Sequence, residues 1–105
     1  MPGIDLNYFI RQVNKLTEKI EARKKELAEE TVEGTAGDGL VVAVANGVQE
    51  IKRITIDPKA LEPLDKGMLE DLIAAAVNQA LENSRVKMKV EFEKISGGVK
   101  IPGIT

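Results

Sequence analysis

The chain has no cysteine, no histidine and no tryptophan in its 105 residues. Without cysteine there are no disulfides, thiolate nucleophiles or zinc-finger ligands. Without histidine, the usual general base near neutral pH and the commonest transition-metal ligand are missing. Carboxylate sites for magnesium or calcium are the chemistry left open, and no cofactor or metal is expected. Large rings are scarce, limited to Tyr8, Phe9 and Phe92, so a core must be built from Leu, Ile, Val and Ala. The longest apolar stretch, Leu40 to Ala45, falls far short of the ~20 residues that span a bilayer. Met1-Pro2-Gly3-Ile4-Asp5 shows no basic segment followed by an apolar run, so no secretory signal is expected. These features predict a soluble cytoplasmic protein. A net charge of −2 lacks the basic excess common in nucleic-acid binders, which makes the distribution of charge more informative than its sum.

What is present reads as one α+β domain spanning residues 1–105, in the order helix, three short antiparallel strands, helix. A domain of this size buries only about two-thirds of its unfolded surface, which favours self-association. Leu6, Phe9, Val13, Leu16, Ile20 and Leu27 repeat with a helical period over Asp5 to Glu30. Asp5 is a candidate cap, with Ile4 and Phe9 placed as a hydrophobic staple. The apolar stripe is as narrow as a coiled-coil seam, and Arg23 occupies one of its positions. At about 1.5 Å per residue the helix would run some 35–40 Å, so part of it should project beyond so small a domain. From Lys66 to Ile95 a second helix is predicted, capped by Asp65 and stopped by Ser96-Gly97-Gly98. Its distal half, beyond Asn83, is rich in charge and is expected to extend from the core with charged tips. Residues 99–105 read as a loose tail.

Between the helices lie strands at Thr31 to Ala36, Leu40 to Ala45 and Val48 to Asp57. Lys59 to Leu64 form a linker with room for one helical turn. Asn46-Gly47 signals a two-residue type I′ hairpin turn, because that turn needs positive φ at both positions. In that register Val41, Ala43, Ala45, Val48, Ile54 and Ile56 share one face, and Val42, Val44 and Ile51 lie on the other. One helix covers one face of a small sheet. The second apolar patch, Val42, Val44 and Ile51, is therefore assigned to a homodimer interface.

Gly34-Thr35-Ala36-Gly37-Asp38-Gly39 superficially resembles a phosphate-binding loop. A strand follows it, however, where such a loop needs a helix, and the Lys-Ser/Thr pair is absent. The glycines read as turn residues. Carboxylates sit among lysines, with nothing to shift one against another as acid–base chemistry requires. An enzyme is not expected, nor a small-molecule substrate or a membrane partner. Basic residues have more pattern. Arg11, Lys15, Lys19 and Arg23 recur every fourth residue, and each step advances only about 40°, so they form a winding ridge. Arg85, Lys87, Lys89 and Lys94 concentrate on the distal second helix. Such arms suit phosphate contacts on a DNA backbone. The plainer reading is a solvated face balanced by pairs such as Lys15 with Glu18 and Glu21 with Lys25.

Four segments together are specific: Gly34-Thr35-Ala36-Gly37-Asp38-Gly39-Leu40-Val41, Val44-Ala45-Asn46-Gly47, Ile54-Thr55-Ile56-Asp57-Pro58, and Met68 through Asn78. In this order and spacing, with Ser96-Gly97-Gly98 and Pro102-Gly103 behind them, the chain resembles the YbaB/EbfC family of bacterial nucleoid-associated proteins from about Val13 onward. The resemblance implies an intertwined homodimer with projecting helical arms in a tweezer-like shape. It implies binding of double-stranded DNA in the nucleoid, with a part in nucleoid organisation or expression. By element and charge, contact would fall on Arg11, Lys15, Lys19, Arg23, Arg85, Lys87 and Lys89. The first helix departs from the family's usual Met, Gln and Lys content by carrying Tyr8, Phe9, Arg11 and several glutamates. From a different class, a prefoldin-like holdase or coiled-coil adaptor also joins two helices through β-hairpins; charged helix tips speak against it.

Overall fold

Asp5 caps the first helix as its position predicts: its Oδ1 accepts from the Tyr8 amide at 3.2 Å. The structure, a computed structural model, describes residues 5–63 and 65–97. The Ile4 half of the predicted staple and the predicted tail at 99–105 lie outside these. Helix α1 runs Leu6–Leu27, strands β1, β2 and β3 run Thr31–Ala36, Val41–Asn46 and Ile51–Ile56, and helix α2 runs Lys66–Ser96. A single 3-10 turn, Pro58–Leu61, precedes α2. Asp65 caps α2 through the Met68 amide at 3.0 Å. Gly97 ends it in the left-handed conformation at φ 65°, which only glycine adopts without strain.

The sheet is an antiparallel meander in the order β1-β2-β3. α2 lies across one face. Val41, Ala43 and Ala45 of β2 meet Ala76 and Ala80 of α2, all fully buried. Small residues on both sides let backbone approach backbone, most closely at Gly34 on β1. A Cβ there would overlap the Ala76 carbonyl oxygen and the Ala80 amide nitrogen. α2 also closes the outer edge of β1: the Thr35 amide donates to Gln79 Oε1 at 2.6 Å, and Asn83 Nδ2 donates to the Glu33 carbonyl at 2.7 Å. An edge satisfied by side chains is a poor template for a stray strand.

The predicted two-residue turn is not what joins β2 to β3. Positive φ falls on Gln49, at 64°, and the Asn46 amide donates to the Glu50 carbonyl at 2.9 Å. Asn46 and Gly47 are used for something else. Asn46 is buried at the end of β2. Its Oδ1 accepts from the Val48 and Glu50 amides at 3.1 and 3.0 Å. Its Nδ2 donates to the Ala28 carbonyl at 3.2 Å and to Glu50 Oε1 at 2.7 Å. Gly47 sends its amide to the Leu27 carbonyl at 2.8 Å, and a Cβ at Gly47 would sit 2.7 Å from that oxygen. The loop therefore caps the C-terminus of α1, supplying donors to carbonyls that a helix end leaves unpaired. This capping ends α1 at Leu27 rather than at the expected Glu30. The Gln49 amide is tied in turn to the buried Ser84 hydroxyl of α2 at 2.8 Å.

The longer loop changes the register. Val44 faces Arg53 and Ala45 faces Ile51, with a bulge between them. Ile51 thus lies on the helix-covered face, packed with Val41, Ala43 and Ala45, and not with Val42 and Val44 as the two-residue loop implied. The open face carries Val42 and Val44 flanked by Thr35 and Glu33 on one side and Thr55 and Arg53 on the other. Val48 joins a second core, where Ile20, Leu27 and Phe92 are buried and Leu16, Met88 and Ile95 pack around them. Here α1 runs back along the distal half of α2, so that half is covered on one side rather than free. The molecule measures 76 × 19 × 16 Å, a sheet with one long helical arm.

Candidate nucleic-acid interface

The a/d seam of α1 explains which basic residues remain available. Residues repeating every four drift about 40° per step around a helix. The ridge that starts at Arg11 on the side away from α2 has therefore wound into the seam by Arg23. There the guanidinium reaches across to α2: Nη2 lies 2.6 Å from Glu91 Oε1 and Nη1 bonds Glu30 Oε2. Lys87 Nζ reaches Glu30 Oε1 at 3.0 Å, and Lys94 Nζ reaches Glu91 Oε2 at 2.6 Å. Arg23 and Glu91 keep only 19% and 18% of their side-chain surface exposed. The cluster fastens α1, the α1–β1 link and α2 together at the base of the arm. Hydrogen bonds from Arg23 and Lys87 hold the Glu30 carboxyl down to about 2. Hydrogen bonds from Lys94 and Arg23 lower Glu91 as well, and the Arg23 guanidinium is held more firmly protonated than usual.

Of the residues expected to meet DNA, the structure thus places three in ion pairs. Arg23 and Lys87 serve the arm's internal cluster, and Arg85 is drawn to Glu82 of its own helix at 2.6 Å. Arg11, Lys15, Lys19 and Lys89 are exposed. Among the described residues none of the four stands in an ion pair, and the anticipated pairs of Lys15 with Glu18 and Glu21 with Lys25 do not form. From Leu6 to Thr17 the helix holds Arg11 and Lys15 and no carboxylate. The projecting half of α1 is therefore positive, although the chain as a whole has a net charge of −2. Asn7, Gln12 and Asn14 on the same stretch add neutral hydrogen-bonding groups. The sequence offered a signal for the Arg23 role that spacing alone missed, since a cation in a seam position must be matched by acids across the seam.

The tip of the arm differs from the charged end expected. Leu6, Tyr8, Phe9, Ile10 and Val13 are 44–64% exposed. None of them belongs to the cluster that α1 shares with α2, in which Leu16 is the residue of α1 nearest its N-terminus.

Acid should loosen the cluster. Glu30 has its folded-state carboxyl depressed from 4.5 to about 2. Its contribution to stability is therefore complete above about 4.5 and is lost as pH falls toward 2. Melting temperature should fall through that window, and Glu30→Gln should flatten the fall while lowering the plateau above it. An unchanged acid limb in the variant would remove Glu30 from this role.

A family model described as the YbaB/EbfC DNA-binding family matches residues 1–99. The chain belongs to the YbaB/EbfC family. A nucleoid-associated protein of Myxococcus xanthus is 70% identical over 105 residues, covering all of both chains. One of Anaeromyxobacter dehalogenans is 48% identical over 101 residues, covering 96% of this chain and 98% of its own. An uncharacterized protein of Helicobacter pylori, known from a crystal structure, shares the fold with a TM-score of 0.79 at 18% identity, covering 90% of this chain and 100% of its own. The Helicobacter pylori structure agrees with the helix–sheet–helix order, and the family and the names of the two relatives support the nucleoid DNA-binding role that the sequence resemblance implied. No helix among the described residues is long and apolar enough to cross a membrane.

Proposed function

We propose that this chain is a nucleoid-associated protein that grips double-stranded DNA by its phosphates, using the unpaired cations on the outer face of α1. The observation that carries the reading is the contrast along the basic ridge: Arg23 is consumed by the arm's internal cluster, whereas Arg11, Lys15 and Lys19 are exposed and, among the described residues, have no acidic partner. A spaced row of flexible cations on a projecting helix follows a phosphate backbone and reads no base edge. Lys89 is a further exposed cation on the distal half of α2.

The open sheet face supplies the second part of the proposal. Val42 and Val44 form an apolar strip between Glu33 and Arg53, an arrangement suited to a self-complementary contact in which the acid of one copy meets the base of the other. A homodimer joined there carries two arms on one duplex, and the second arm then binds at high effective concentration. The chain acts as a binding protein rather than as an enzyme, within the nucleoid. The test is binding of random-sequence duplex DNA across a salt series. Affinity should fall steeply and linearly in log–log form, as phosphate contacts release counterions. Binding indifferent to salt would refute the phosphate reading.

A further inference from the structure

The positive half of α1 begins with apolar bulk that the core does not use. Leu6, Tyr8, Phe9 and Ile10 are about half exposed or more, and among the described residues none belongs to either core cluster. Successive residues of a helix stand about 100° apart. These four therefore occupy most of the circumference of the first turns, with Asn7 in the remaining gap. Two of the three aromatic rings of the chain are thus displayed at the tip of the arm. Tyr8 also stands in line with the basic ridge. Arg11, Lys15 and Lys19 follow it by three, seven and eleven residues, a spacing that keeps side chains on one side of a helix.

We propose that this tip is a wedge: while the ridge holds the phosphates, Tyr8 and Phe9 enter a base step, unstack it and kink the duplex. The inference rests on the phosphate reading of the ridge and adds a second mode of contact to it. Charge selects the occupant. From Leu6 to Thr17 there are two cations and no carboxylate. Asp5 precedes them, with its Oδ1 turned onto the Tyr8 amide. A second copy laid tip against tip would set Arg11 and Lys15 against the same cations, with no acid in the segment to pair them. A duplex offers what the tip lacks, with phosphates outside and apolar base faces within. Apolar side chains inserted between base pairs bend DNA in this way, and contact of the rings with the bases offsets the unstacking. Unstacking costs least at pyrimidine–purine steps such as TA and most in stiff A-tracts. The wedge therefore favours deformable steps without reading a base edge.

The absence of native tryptophan allows a clean test on the full chain. Tyr8→Trp places a single indole at the tip, and Leu61→Trp places one at an exposed site on the turn before α2. Each is titrated with two duplexes of equal length, one with spaced TA steps and one built of A-tracts. The duplex ends carry an energy-transfer pair that reads bending. Tyr8→Trp fluorescence should fall about twofold or more on the TA duplex, as the indole stacks on bases, while Leu61→Trp stays unchanged. The parent should bend the TA duplex and bind it about fivefold more tightly than the A-tract duplex. Tyr8→Ala with Phe9→Ala should lose the bend and the preference and bind about fivefold more weakly. Its slope of log affinity against log salt should match the parent's, because no phosphate contact is removed. Salt-dependent binding with neither quenching nor bending would overturn the wedge and leave the phosphate reading standing. No binding to either duplex would sink both. A double variant whose assembly has half the parent's mass by light scattering would overturn the wedge, assigning the tip to contact between copies.

Discussion

Gly34→Ala should be the most damaging single substitution in the sheet. The added methyl has no flexible side chain to push aside. It meets the Ala76 carbonyl, the Ala80 amide and the Ala80 Cα, the last at 2.9 Å. Relief requires moving α2 off β1, and that opens the contact of Val41, Ala43 and Ala45 with Ala76 and Ala80. It also breaks the bonds from Gln79 and Asn83 that close the β1 edge. Overpacking against a backbone that cannot yield costs about 3 kcal/mol or more. In a domain of this size that lowers the melting temperature on the order of 10 °C or more. Thermal unfolding followed by circular dichroism measures it. A variant that melts with the parent would show that the close approach of β1 and α2 is not as described.

Lys15→Glu with Lys19→Glu should weaken duplex binding by about tenfold or more at moderate salt, through lost contacts and new repulsion from phosphates. Both residues are exposed, and among the described residues neither is ion-paired. The fold should therefore tolerate the exchange, with melting temperature little changed. Lys87→Glu is the instructive contrast. It sets a second carboxylate beside Glu30 in place of the cation that pairs with it at 3.0 Å. Its main effect should be on stability, with a smaller loss of DNA affinity. If the two variants changed places, with the ridge pair destabilising and Lys87→Glu abolishing binding, the division of labour drawn here would be reversed.

Much of this architecture is legible in the sequence because it is written locally. Caps at Asp5 and Asp65, the stop at Gly97 and the three-and-four spacing of α1 each depend on residues within a turn or two. What the sequence hides is decided by contacts far along the chain. Asn46-Gly47 carries the signature of a tight turn, yet both residues are used to finish α1: Asn46 bonds Ala28, and Gly47 makes room for Leu27. That second use lengthens the loop, introduces the bulge and moves Ile51 to the other face. Arg23 reads equally well as the end of a basic ridge and as a flaw in an apolar seam. Only its distance to Glu91, 68 residues away, decides between the two. The apolar tip was in view as Leu6, Phe9 and Val13, but its exposure follows from where α2 stops, which the helix pattern of α1 cannot reveal.

The central claim is that Lys15 and Lys19 neutralise phosphates, and neutral replacement tests it with least disturbance. The measurement is the slope of log affinity against log salt for random-sequence duplex, for the parent and for Lys15→Gln with Lys19→Gln. Each lost phosphate contact reduces the slope by about 0.9, so the double variant should be shallower by about 2 per arm engaged. A parallel line, weaker or not, would contradict the claim, because it would mean that the same number of counterions is still released and that the ridge of α1 does not touch the backbone.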